Sequence, residues 1–342
     1  MSTTLDTVAP AARHLPALRW TGAGAVVVAL GLAPLVLGGY YLHALIIAMI
    51  FLLPAHGLNL ILGYTGMLSL AQGVFFGVGA YVSALLSLHF GTSFAFNVVA
   101  SGVIAAAIAL PLGIPALRLR TYSFVMCTLG FVVIAQTVAK NWIGMTRGDM
   151  GLSGVPQPKF QIGNAVLTIS TIPNYYYLAL VVAIVATLGF YALVKSPAGR
   201  CMVAIRDNEV LAESLGVPTW AYKLAVFMLS AMFAGVGGSL YAHYMTVVSP
   251  LVFQMYYSTT VLVIVLGGGV GRVPGAVIGS LLFVALSEAL RVTPELRMII
   301  YGFVLLLLVF CFPDGLAPLL DRALERIARL RFGAKEGNSD VH

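Results

Sequence analysis

Between Arg19 and Arg118 the chain runs for 98 residues without an Asp, Glu, Lys or Arg. A bilayer core about 30 Å thick is crossed by roughly 20 helical residues, so this one run holds several passes. Two shorter charge-free runs follow, from Lys223 to Arg272 and from Arg297 to Asp314. About a quarter of the residues in ordinary soluble domains are charged. Here 9% of 342 residues are charged and 60% are apolar, too little charge for a water-facing surface. The apolar runs are continuous rather than alternating, which selects helices over barrel strands. The expected fold class is all-α, a polytopic transmembrane helix bundle.

Ten apolar segments fall at 21–39, 41–62, 67–88, 94–117, 122–140, 174–194, 223–245, 252–270, 273–290 and 297–312. The third is rich in small residues and reads equally as a broken or re-entrant helix, so the count runs from eight to ten. The first follows Arg13 and Arg19 and ends in Gly-Gly-Tyr-Tyr, with no small-x-small cleavage pattern, and reads as an uncleaved helix. With ten crossings and a cytoplasmic N-terminus, fourteen Lys and Arg lie inside and five outside. Basic residues retained on one side set orientation, so both termini are expected in the cytoplasm. The net charge of +7 is then a property of the inner loops and tails, and no nucleic-acid partner is needed to explain it. The expected layout is a cytoplasmic tail (1–19), a membrane domain (20–317) and a C-terminal region (318–342). In that last region PLLDRALERIARLR reads as an amphipathic helix on the lipid surface.

Catalytic patterns are missing from the sequence. No Lys follows a Gly, so there is no Walker A loop, and neither GxSxG nor HExxH occurs. Cys127, Cys201 and Cys311 have no pairing or ligand spacing, and His43, His56, His89 and His243 read as helix-end residues, so no metal site is expected. Gly267-Gly268-Gly269-Val270-Gly271 follows an apolar helix rather than a strand and reads as a tight turn between spans. Glu288 near a span end is expected to pair with Arg291.

The loop 195–222 carries more information than the outer loop 141–173. Ser196-Pro197 starts one helix and Asp207-Asn208 caps a second, which Gly216 and Pro218 end. Val210, Leu211, Ala212 and Leu215 ride with the charged residues. That apolar face needs a partner, either the membrane surface or a groove on another protein.

Small residues recur at fourth positions: Ala231, Gly235 and Ser239, then Ala234, Gly238 and Ala242, and Gly73 with Gly77. In lipid such spacing lets helix backbones approach, so these positions are expected to pack helices. Asn59, Thr65, Ser69, Gln72 and Gln136 are polar groups that would be costly against lipid tails, and are candidates for a translocation path.

Four stretches carry a family resemblance: GLNLILGYTGMLSLAQGVFFGVGAYVSALL (57–86), SPAGRCMVAIRDNEVLAESLGV (196–217), YKLAVFMLSAMFAGVGGSLYA (222–242) and LGGGVGRVPGAVIGSLLF (266–283). GDMGLSGVP (148–156) and FPDGL (312–316) add to them. The chain resembles the permease subunits of branched-chain amino acid ABC importers, in their LivM-type branch, over about residues 40–320. The resemblance implies a bacterial inner-membrane protein that is not itself an enzyme and binds no cofactor. ATP and Mg would sit on two separate ATPase subunits. A second permease would complete a heterodimer, and a periplasmic binding protein would deliver the substrate. The resemblance also implies that 200–216 docks on the ATPase, with Arg200, Arg206, Asp207, Glu209, Ala212, Glu213 and Gly216 at the matching positions. Ala212 and Gly216 keep the spacing of the importer loop motif, while Val210 and Leu211 replace its first two positions. The acidic contact then falls to Glu209 or Glu213. Sugar, urea or amide permeases of the same superfamily, and a stand-alone ion-coupled carrier, are the alternatives.

Overall fold

A computed structural model describes residues 26–119, 121–162, 165–169 and 171–289, together with Gly24, Phe303, Phe310, Gly315 and Leu316. The amphipathic tail, the segment 297–312 apart from two phenylalanines, and the Glu288–Arg291 pair lie outside the described residues or their side chains.

The helices are α1 (Val26–Val36), α2 (Gly39–Asn59), α3 (Gln72–Phe90), α4 (Phe94–Ala116), α5 (Thr121–Asn141), the single turn α6 (Ile143–Thr146) and α7 (Ile172–Lys195). After them come α8 (Pro197–Asp207), α9 (Glu209–Ser214), α10 (Thr219–Met245), α11 (Met255–Gly268) and α12 (Val273–Ala289). Among the described residues six helices are long and apolar enough to cross a membrane, or seven spans if α11 and α12 count as one. The chain is a multi-pass helical membrane protein.

The segments 252–270 and 273–290, separate spans by sequence, form one bent pair at 119°. The physical reason is length. Residues Pro250–Phe253 form a 3-10 turn, leaving α11 only 14 residues. At about 1.5 Å per residue that helix is well short of the bilayer core.

Two helices form the centre. α2 is apolar around its whole circumference and is enclosed on nearly all sides, from Ile46 to Asn59. α10 lies against α2, α3 and α4, and its small residues set each approach. A Cβ on Gly235 would lie 2.6 Å from the Ser101 oxygen and from Ala105 Cβ, both on α4. On Gly238 it would overlap the Phe76 carbonyl of α3, and on Gly237 it would reach 2.9 Å from Pro54 Cδ of α2. Ser239 completes the α3 seam with a 2.8 Å hydrogen bond between its hydroxyl and that of Ser83. Gly73 and Gly77 of α3 face the other way: a Cβ on Gly73 would lie 2.8 Å from Ser258 Oγ, and one on Gly77 would strike the Phe253 ring. By contrast, α4, α5 and α7 turn wide apolar faces outward, including Val99, Met126, Val133 and Val185, as lipid-facing helices do.

The loop that follows α6 is stitched to the end of α10. Leu152 and Ser153 pair antiparallel with Val248 and Val247. The amides of Gly154 and Val155 donate to Thr246 O, each at 3.1 Å. His243 Nδ1 meets Pro156 O at 2.8 Å, and its Nε2 meets Ser83 Oγ at 2.9 Å. His243 is indeed in the last turn of its helix, but it is buried and bridges loop to bundle. A second hairpin pairs Lys159–Ile162 with Ala165–Thr168.

Candidate functional site: interrupted spans beneath a capped helix pair

α2 does not end cleanly. It passes into a π-turn, Leu60–Tyr64, and Gly66 then adopts φ +72°, where an L side chain is strained. Residues 66–70 have no regular secondary structure, and α3 begins at Gln72. The segment 67–88 therefore opens with non-helical backbone inside the bundle. Such backbone survives in a membrane protein only where other groups satisfy it. Here Met67 N donates to Ile61 O (3.2 Å), Leu70 N to Thr128 Oγ1 (3.2 Å) and Ala71 N to Ser69 Oγ (3.3 Å).

The polar candidates gather at this break, with one exception. Thr65 returns its hydroxyl to Ile61 O at 2.7 Å, and Ser69 serves Ala71 as described. Gln72 is fully buried. Its Nε2 donates to Ser230 Oγ at 2.6 Å, while its Oε1 has no hydrogen-bond partner among the described residues. Asn59, also fully buried, spans to the second interruption. Its Nδ2 donates to Arg272 O (2.9 Å) and its Oδ1 accepts from Gly271 N (2.8 Å). The glycine-rich turn is thus the corner between α11 and α12, with Gly269 and Gly271 at positive φ. Gly315 lies against it, and Leu316 N donates to Gly267 O at 3.0 Å. Gln136 stands apart, half-buried on α5.

Sequence reasoning missed Ser230, Ser258 and Thr128, the partners of this region. Ser230 was detectable, being four residues before Ala234 on the small-residue row of α10. Thr128 carried no signal, because its role depends on the unwound backbone beside it. His56 is a different case. It is in the last turn of α2, as expected, but is fully buried, since the π-turn continues the helix beyond it. Its Nε2 meets Thr187 Oγ1 at 2.9 Å.

Asn59 gives a prediction here. In Asn59→Asp the donor facing the Arg272 carbonyl becomes an acceptor, leaving two oxygens opposed in a buried site. Unsatisfied buried polar groups cost about 1–3 kcal/mol each. Asn59→Asp is expected to lower the thermal unfolding midpoint in detergent more than Asn59→Leu, which removes the polar group altogether. Midpoints of both variants equal to that of wild type would show that the clamp contributes nothing.

The helix pair α8–α9 closes the region from one side. Ser196 Oγ accepts from Gly199 N (3.4 Å) and Asn208 Oδ1 from Leu211 N (3.0 Å), capping the two helices. Gly216, at φ +85°, lets the chain turn after α9. Met202 and Ile205 bury the inner face of α8, and Ala212 that of α9. Arg200 and Glu213 are exposed. Glu209 forms an ion pair with Lys223 on α10. Val210 (77% exposed), Leu211 (56%) and Leu215 (76%) face outward, with nothing over them among the described residues.

The family described as "Branched-chain amino acid transport system / permease component" matches residues 40–309, from the start of α2 into the last apolar segment. The chain belongs to this family. Its permeases are transport subunits rather than enzymes, and the unwound stretch and the capped loop fall within the matched region. Among its relatives is the high-affinity branched-chain amino acid transport system permease protein LivM of Escherichia coli, 32% identical over 310 residues, covering 85% of this chain and 72% of that protein. The LivH permease of the same organism is 25% identical over 280 residues, covering 78% and 90%. The nucleoside ABC transporter permease protein NupC of Lactococcus lactis is 29% identical over 184 residues, half of this chain and 54% of that protein. No solved structure matches.

Proposed function

We propose that this permease is the LivM-type half of an ATP-driven, binding-protein-dependent importer of branched-chain or related hydrophobic amino acids in a bacterial inner membrane. A second permease completes the membrane path as a heterodimer. A periplasmic protein delivers the ligand to the outer loop side, and both termini lie in the cytoplasm. ATP and Mg sit on two ATPase subunits, and this chain holds neither. The observation that carries this reading is the capped helix pair α8–α9, built against the bundle on one face and bare apolar on the other. A bare cluster of three large aliphatics suits a protein groove, and Glu213 beside it supplies the acidic contact, since Glu209 is engaged by Lys223.

The candidate path runs along the unwound residues from Thr65 to Gln72, where Gln72 Oε1 is an acceptor with no partner among the described residues. Alternating access then consists of rocking the packed helices around this break.

The test reconstitutes the chain in liposomes with a second permease, two ATPase subunits and a binding protein from the same organism. Labelled leucine should enter only with ATP on the ATPase side, and excess isoleucine or valine should compete. Competition by a nucleoside instead would move the substrate towards that of the Lactococcus lactis relative. Leucine uptake by the chain alone under a proton gradient would overturn the importer reading in favour of a secondary carrier.

A further inference from the structure

Arg206 does not share the outward direction of the other α8–α9 charges. Its Nη1 donates to Gly63 O at 2.7 Å, inside the π-turn of α2. Its Nε and Nη2 both donate to Asp207 Oδ1 at 3.1 Å, which fixes the plane of the guanidinium. The stem crosses Gly66, where an added Cβ would come within 3.1 Å of Arg206 Cγ. The Gly63 carbonyl is one of the last of its helix, a group that has no donor within the helix and must find one elsewhere. Gly63 in turn abuts Gly271 so closely that a Cβ on it would overlap Gly271 and Asn59 Oδ1. A Cβ on Gly271 would itself lie 3.4 Å from Arg206 Nη1. One guanidinium therefore sits at the junction of the cytoplasmic helix pair, the unwound stretch after α2 and the α11–α12 corner.

We propose that Arg206 is a positioning residue that links movement of α8–α9 to both interruptions at once, through Gly63 to the 60–71 break and through the Asn59–Gly271 clamp to the 268–272 corner. This rests on the importer reading above. The backbone alone provides other links, because α8 continues from α7 and α9 leads into α10. Both α7 and α10 also pack against α2, so what distinguishes Arg206 is a direct bond to the Gly63 carbonyl, inside the break itself. A side-chain link of this kind suits arginine: the planar fork holds a carboxylate and a carbonyl together, while a lysine ammonium holds a single point.

The experiment uses the complete importer in proteoliposomes and three chains: wild type, Arg206→Gln and Arg206→Lys. ATPase co-purification, ATP hydrolysis and leucine uptake are measured on the same preparations. The expected result is that Arg206→Gln retains the ATPase at wild-type stoichiometry while uptake per ATP hydrolysed falls at least fivefold, with Arg206→Lys between the two. An unchanged ratio of uptake to hydrolysis overturns the proposal. So does loss of the ATPase from the complex, which would make Arg206 a docking residue. If Arg206→Gln does not accumulate, hydrogen exchange on the wild-type complex decides. Amides in 60–71 and 268–272 should change protection together when a non-hydrolysable ATP analogue binds, and a change confined to 197–216 overturns the link. Failure of the importer reading itself looks different, because the wild-type complex would then show no ATP-dependent uptake.

Discussion

Gly238→Ala is expected to leave little folded protein in the membrane, while Gly189→Ala leaves the yield near that of wild type. Both changes add one methyl group to a glycine within a span. At Gly189, on α7, the new Cβ meets nothing within 4 Å. Alanine there also has the better helix propensity, by about 1 kcal/mol in soluble hosts. At Gly238 the methyl overlaps the backbone oxygen of Phe76 and comes within 2.8 Å of the Ala80 amide nitrogen. No rotamer change relieves a backbone clash, so α3 and α10 must move apart. Their separation also stretches the Ser83–Ser239 hydrogen bond and the Ser83–His243 contact behind it. Overpacking in a dense interior costs typically about 1–3 kcal/mol, and a seam between the central α10 and α3 belongs at the upper end or beyond. Size-exclusion profiles of detergent extracts and thermal midpoints of the two variants would measure this. If Gly238→Ala matched Gly189→Ala in both, small-residue packing would not be what holds α10 to α3.

The class of fold was legible in the sequence because charge avoidance is a property of composition, and lipid enforces it on every span alike. The cap residues Ser196 and Asn208 were legible for a similar reason: a cap is a local interaction among residues three apart. What could not be read was where an apolar run stops being one straight helix. The run 41–62 looks uniform, yet its end is a π-turn, and 252–270 looks long enough to span until its first residues form a 3-10 turn. The break after α2 and the α11–α12 corner depend on partners more than fifty residues away, such as Thr128 for Leu70 and Asn59 for Gly271. Arg206 was likewise grouped with the docking loop by its position in the chain. Only its distance to Gly63 separates it from the outward face.

The outward face itself makes the second large prediction. Val210→Ser combined with Leu215→Ser is expected to weaken ATPase binding on the order of a hundredfold, and ATP-dependent uptake should fall with it. Burying an aliphatic side chain of this size is worth about 1.5–3 kcal/mol, and each 1.4 kcal/mol is a factor of ten in affinity. Two such losses give that figure even if each residue is only partly covered in the complex. The fold should survive, since both side chains are more than three-quarters exposed and the buried contacts of α8 and α9 are Met202, Ile205 and Ala212. Titrating the purified ATPase against permease in nanodiscs measures the affinity directly. Glu213→Gln should weaken it less, because an exposed charge pair is typically worth under about 1 kcal/mol. If instead the aliphatic cluster lies on lipid headgroups, the double serine variant will bind ATPase as tightly as wild type and lose membrane contact at α9, seen as reduced shielding of a fluorophore at Ser214→Cys. The two outcomes separate a docking face from a surface anchor with one pair of substitutions.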